Sequence, residues 1–219
     1  MPFNRAYINE VCAQGVDLAG SEHQFEISLR SIQNNRLNQG LGNDDVELAA
    51  LHLGLFLAHW GMFRGSSRLM GKNLSFFKSL IREYVFQQDI AALWATDFLD
   101  IGAGEAASID AAINQLRKWI GDNGVTPTDT LVSKILLVTS GNVPAYDRYF
   151  RQGLKRINIQ YVQDLPMTFS GNSLIALSNF MRRFTWPKIP SIIAPNGPSI
   201  PTGRLVDKAV NFFGRLPPE

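Results

Sequence analysis

The chain has 219 residues, 45% hydrophobic and 18% charged, with a formal net charge of +2. That length and balance suit one large folded domain and exclude a disordered chain, and no window reaches the roughly 18 uninterrupted apolar residues of a membrane span. A single cysteine, Cys12, excludes an internal disulfide framework and a cysteine-based zinc site.

The pattern along the chain predicts a mainly α fold with little or no strand. No element is assigned before Gln24, and the opening MPFNRAYINEV lacks the apolar centre of a signal peptide, so a cytoplasmic protein is expected. Gln24–Leu37 reads as a helix. Asn43–Phe63 follows, with Asn43 as its cap, acids in its first turn and Leu48, Leu51, Leu55 and Ala58 at helical spacing. His52 and His59 share a face of that helix, but no carboxylate joins them, so no metal site and no cofactor are expected. Leu74–Phe86 carries the next apolar stripe. Ser108–Ile120 ends before the stop signal GDNG. Thr126 and Pro127 are read as the cap and first residue of a helix running to Ser140, and Pro144 as the opening of a helix to Ile157. INIQYV, residues 157–162, alternates briefly and suggests a short edge strand. Ser173–Arg183 and Arg204–Phe213 complete the helices.

Between the last two lies FTWPKIPSIIAPNGPSIPTG, residues 184–203, with five prolines in twenty residues. Each proline removes a backbone donor, so an irregular crossing is expected there, pinned by Trp186, Ile189, Ile192 and Ile193. The whole is read as a single helical domain, with two lobes near 1–105 and 106–219 as a possible subdivision. Charge is asymmetric. Residues 1–110 hold 8 Lys/Arg against 13 Asp/Glu, and residues 111–219 hold 13 against 6. A basic C-terminal half suits a polyanion such as nucleic acid. Complementary halves across a shared core would explain the asymmetry equally well.

Two constellations carry candidate chemistry. In GNVPAYDRYF, residues 141–150, Asp147 is placed in the first turn of the helix headed by Pro144, where the helix dipole favours its ionised form. A carboxylate held there can stabilise a developing cation. Its ordinary role would be to improve the helix. Arg148, Arg151, Lys155 and Arg156 recur at three- and four-residue spacing behind it, joined in sequence by Arg182, Arg183 and Lys188, and together they suggest a phosphate-tracking surface. The second constellation is HLGLFLAHWGMFRGSSRLMGKN, residues 52–73. Arg64, Ser66 and Arg68 are candidates for holding a phosphate, and Trp60 and Phe63 for stacking a flipped base.

TLVSKILLVTSGNVPAYDRYFRQGLKR, residues 130–156, resembles a segment of the helix-hairpin-helix DNA glycosylases, especially the 8-oxoguanine glycosylase branch. In that family a helix leads through a short turn to a Pro-x-Asp element and then to a basic helix. Pro144, Ala145, Tyr146 and Asp147 fall on the element, with one residue more between Pro and Asp. The resemblance implies a multi-helix glycosylase-like array. It also implies that Asp147 aids cleavage of an N-glycosidic bond, and Lys134 is the lysine nearest to the family's nucleophile. The family's hairpin is glycine-rich. GVTPTDT, residues 124–130, keeps Gly124, lacks the second glycine, and carries Asp129. The expected function is therefore binding of nucleic acid, DNA by resemblance, with possible hydrolysis of the N-glycosidic bond of a flipped base. Trp60 and Tyr146 would hold that base and the arginines the backbone. The alternative is a non-enzymatic helical interaction protein of a bacterial defence or toxin–antitoxin system, docking a protein partner.

Overall fold

The computed structural model describes residues 1–14, 21–37, 42–63, 69–86, 96–191, 193 and 197–217. The expectations for Arg64, Ser66, Arg68 and Ile192 lie outside the described residues. Within them are nine α-helices and no strand: α1 (Arg5–Gln14), α2 (Ser21–Leu37), α3 (Asn43–His59), α4 (Leu74–Leu80), α5 (Ala106–Asp122), α6 (Asp129–Ser140), α7 (Arg148–Tyr161), α8 (Gly171–Met181) and α9 (Thr202–Arg215). A π-helical turn, Ile81–Val85, extends α4, and 3-10 turns occupy Leu69–Gly71 and Phe98–Asp100.

Two helices form the centre. Every residue of α6 from Leu131 to Ser140 is buried, and so is α9 from Gly203 to Asn211. α6 tolerates burial on all sides because its hydroxyls bond carbonyls of its own helix. Ser133 donates to Asp129 O at 2.6 Å, Thr139 to Ile135 O at 2.8 Å and Ser140 to Leu136 O at 2.7 Å. α2, α3 and α5 pack against α6, and α1 and α7 pack against α9. One buried cluster runs from Phe3 to Phe213, so both sequence halves contribute to the same core.

α7 and α9 meet at glycines. A Cβ on Gly153 of α7 would lie 2.0 Å from Val210 O, and one on Gly214 of α9 would lie 1.9 Å from Tyr149 O. The two backbones touch with no side chain between them. That closeness brings residues of α9 against the N-terminus of α7.

Several sequence expectations are corrected. α1 exists and buries Tyr7, Ile8, Val11 and Cys12; the Tyr7 hydroxyl donates to Ala209 O at 2.9 Å. The expected strand at residues 157–162 is absent, because α7 continues to Tyr161 and closes with Val162 in the left-handed region. Pro144 does not open α7. The N–H groups of Ala145 and Tyr146 are drawn to Asp207 Oδ1 at 2.9 Å and Ser133 Oγ at 2.8 Å, so the helix begins at Arg148. Thr128, two residues past Thr126, caps α6. Leu48, Leu51 and Leu55 of α3 face outward at 47%, 51% and 55% exposure. The core face of that helix is Val46, Ala49, Ala50, Leu53, Phe56 and Leu57.

The proline-rich crossing is irregular in its described residues up to Pro201, and α9 takes up its last two, Thr202 and Gly203. The buried Glu26 of α2 accepts from Ser191 Oγ at 2.6 Å, Arg30 donates to Pro198 O at 2.9 Å, and Ile200 N returns to Ile189 O at 2.9 Å. Trp186 and Ile189 pack on the core, as expected.

Candidate functional site at the turn between α6 and α7

α6 ends at Gly141, whose φ of 75° is left-handed backbone that glycine adopts without strain. From Gly141 to Tyr146 the chain is buried. It is stapled from two sides. α6 supplies Ser133, which accepts from Tyr146 N, and Thr130, whose hydroxyl donates to Tyr146 O at 3.0 Å. α9 supplies Asp207, which accepts from Ala145 N. The small Ala145 and the donor-free Pro144 suit a backbone pressed into a core, which accounts for their place in the sequence.

Asp147 emerges from this turn half-buried as the N-cap of α7. Its Oδ1 accepts from the N–H groups of Tyr149 and Phe150, both at 3.0 Å. Asn211 Nδ2 of α9 donates to Oδ1 at 3.0 Å and to Oδ2 at 3.2 Å. Oδ1 is thus committed to the helix end. Oδ2 carries one long bond and keeps acceptor capacity, since a carboxylate offers about four lone-pair sites. Arg215 Nε donates to Asn211 Oδ1 at 2.9 Å and so fixes which way the amide points.

Lys134 is 6% exposed inside α6. Its Nζ donates to Trp60 O at 3.0 Å and lies 5.4 Å from the centroid of the Trp60 ring. Burial pushes its pKa down, while the nearby carboxylates of Asp147 and Asp207 hold it up. Arg204 stacks on the same indole at 4.7 Å, also lies over Phe25 at 5.1 Å, and pairs with Asp207. Burial raises the Asp207 carboxyl to about 6, against the pull of Arg204. The Trp60 indole N–H is buried without a hydrogen-bond partner.

The structure therefore groups Trp60, Lys134 and Asp147, three of the sequence candidates. It treats others differently. Tyr146 is fully buried, packed on Phe150 at 5.0 Å and Phe169 at 5.2 Å, so its ring is a core element with no surface to offer a base. Its hydroxyl has no partner, and burial raises its pKa. Arg151 is turned inward to Asp129 Oδ2 at 3.1 Å and Met167 O at 3.0 Å. Asp129 also binds Arg117 at 2.7 Å and Phe169 N at 3.1 Å, which makes it a junction of α5, α6 and α7. Arg156 bonds Phe213 O and Leu216 O, and Arg182 bonds Leu99 O and Ile101 O. Arg148 and Lys155 remain exposed.

Sequence reasoning missed Arg204, Asp207, Asn211 and Arg215. Their spacing of three, four and four along RLVDKAVNFFGR places them on one line of α9, a signal that was present in the sequence. Among the described residues no group of three or more His, Cys, Asp or Glu is placed to hold a metal, and no helix is long and apolar enough to cross a membrane. No family model matches this chain, and no curated protein or solved structure matches it.

Proposed function

We propose that the chain is a nucleic-acid-binding protein of DNA-glycosylase-like, helix-hairpin-helix fold that cleaves the N-glycosidic bond of a flipped base. The observation that carries this reading is a desolvated lysine within electrostatic reach of an aspartate anchored chiefly through one oxygen, the other oxygen retaining acceptor capacity. In this reading the C1′–N bond breaks with its electron pair leaving on the base, which takes up a proton. The Asp147 carboxylate stabilises the positive charge shared by C1′ and the ring oxygen. Water then adds to C1′ and loses a proton. Lys134, whose burial favours the neutral amine, stands as a competing nucleophile at the same carbon.

The test is mass-spectrometric detection of free bases released from a panel of damaged and modified oligonucleotides. Asp147→Asn preserves a competent helix cap, so it should retain the fold and lose base release. Lys134→Met should abolish borohydride trapping of a covalent complex. Release undiminished in Asp147→Asn, or no base freed from any member of the panel, defeats the catalytic reading.

A second reading is a non-enzymatic helical interaction protein. It draws on the fact that every hydrogen bond described for Asp147 holds a helix end or a helix contact, as a structural acid would. Neither oligonucleotide binding nor base release by the parent would favour this interaction reading.

A further inference from the structure

Two residues beyond Asp147, Tyr149 lies in the first turn of α7 and is 39% exposed, although most large apolar side chains of the fold are buried. Two guanidinium groups flank it. Arg215 of α9 lies 4.7 Å from the ring centroid and Arg148 lies 5.8 Å from it. Arg215 also covers Phe212 at 5.6 Å. Arg215 is held in place, because its Nε bonds Asn211, the residue that also holds Asp147. Its terminal Nη groups, and the whole guanidinium of Arg148, have no hydrogen-bond partner among the described residues. A partly exposed tyrosine, an anchored cation and a second, unanchored cation, both with unused donors, thus lie side by side at the edge of the candidate site.

We propose that Tyr149, Arg148 and Arg215 form a stacking platform for one nucleotide of a single-stranded or locally opened nucleic acid. The base packs against the exposed surface of Tyr149, and the flanking phosphates take the free guanidinium donors. Aromatic rings accept any base by stacking, and the planar guanidinium matches phosphate oxygens two at a time. The platform shares Asn211 with Asp147, so a strand held there is placed beside the carboxylate. The proposal rests on the nucleic-acid reading of the neighbouring site and adds to it the strand contact.

The test is fluorescence anisotropy of a fluorescein-labelled oligothymidine strand with the full chain, over a range of salt concentrations. Tyr149→Leu should weaken binding by about tenfold while leaving the salt dependence unchanged, since it removes stacking and no charge. Arg215→Gln should reduce the slope of log K against log salt by about 1. Tyr149→Trp should bind as tightly as the parent or more tightly, which guards against a loss caused by misfolding. If the parent binds the strand and both Tyr149→Leu and Arg215→Gln bind it equally well, the platform is refuted and the nucleic-acid reading stands. If the parent itself fails to bind, both are refuted.

Discussion

Gly153→Ala tests whether the contact between α7 and α9 holds the site together. An added Cβ would sit 2.0 Å from Val210 O, where ordinary contacts lie at 3.4–4 Å, and 2.8 Å from Val210 Cγ1. The nearest atom is backbone of a buried helix, so no rotamer change relieves the clash and the two helices must separate. In an open helix the same substitution would stabilise the protein by up to about 1 kcal/mol through reduced backbone entropy. Here overpacking should reverse the sign and cost about 3 kcal/mol. Gly121→Ala is the internal control, because Gly121 lies in the last turn of α5 with nothing within 4 Å of the added atom. Urea unfolding should show Gly153→Ala with a lowered midpoint and Gly121→Ala at or above the parent. Asn211 would retreat from Asp147 as the helices part, so binding of the oligonucleotide should suffer as well. If Gly153→Ala is within about 0.5 kcal/mol of the parent, the surface-like range, the close approach of the two helices is wrong.

Asp129→Ala removes the acceptor shared by Arg117, Arg151 and Phe169 N, and should cost about 2 kcal/mol by thermal or urea unfolding. A change below about 0.5 kcal/mol would show the junction to be dispensable. Asp207 gives a pH signature. Its folded pKa of about 6 lies above the ordinary value of 3.8, so the folded state binds the proton more tightly than the unfolded one. Its contribution favours folding below 3.8 and is lost as pH rises through about 6. The parent's melting temperature should therefore gain on that of Asp207→Asn as pH falls from 7 to 4; a pH-independent gap would refute the raised value. Lys134→Met replaces a desolvated amino group with an apolar side chain of similar length, so stability should change by no more than about 1 kcal/mol, or rise. A loss of several kcal/mol would mark Lys134 as structural.

The helical periods of α2, α3, α5 and α8 were legible because local spacing and stop signals report helices directly. The faces of α3 were not. That helix is apolar on nearly all sides, so Leu48, Leu51 and Leu55 read as a core stripe as readily as Leu53, Phe56 and Leu57. Only the positions of α2, α4 and α6 decide between them. The start of α7 was misplaced for a similar reason. Proline favours a first turn, but tertiary acceptors on α6 and α9 claim the N–H groups of Ala145 and Tyr146 first.

By itself the sequence determined a mainly helical chain, a proline-broken crossing and the isolation of Asp147 after a buried segment. Those properties are local, set by spacing, by proline and by the sparseness of acids in the C-terminal half. The tertiary structure decided which charges are spent and which are left. It turned Arg151 to Asp129, sank Tyr146 into the core and set Asn211 and Arg215 beside Asp147. Partners separated by 64 residues, as Asp147 and Asn211 are, leave no local trace. Their meeting depends on two glycines letting α7 and α9 touch.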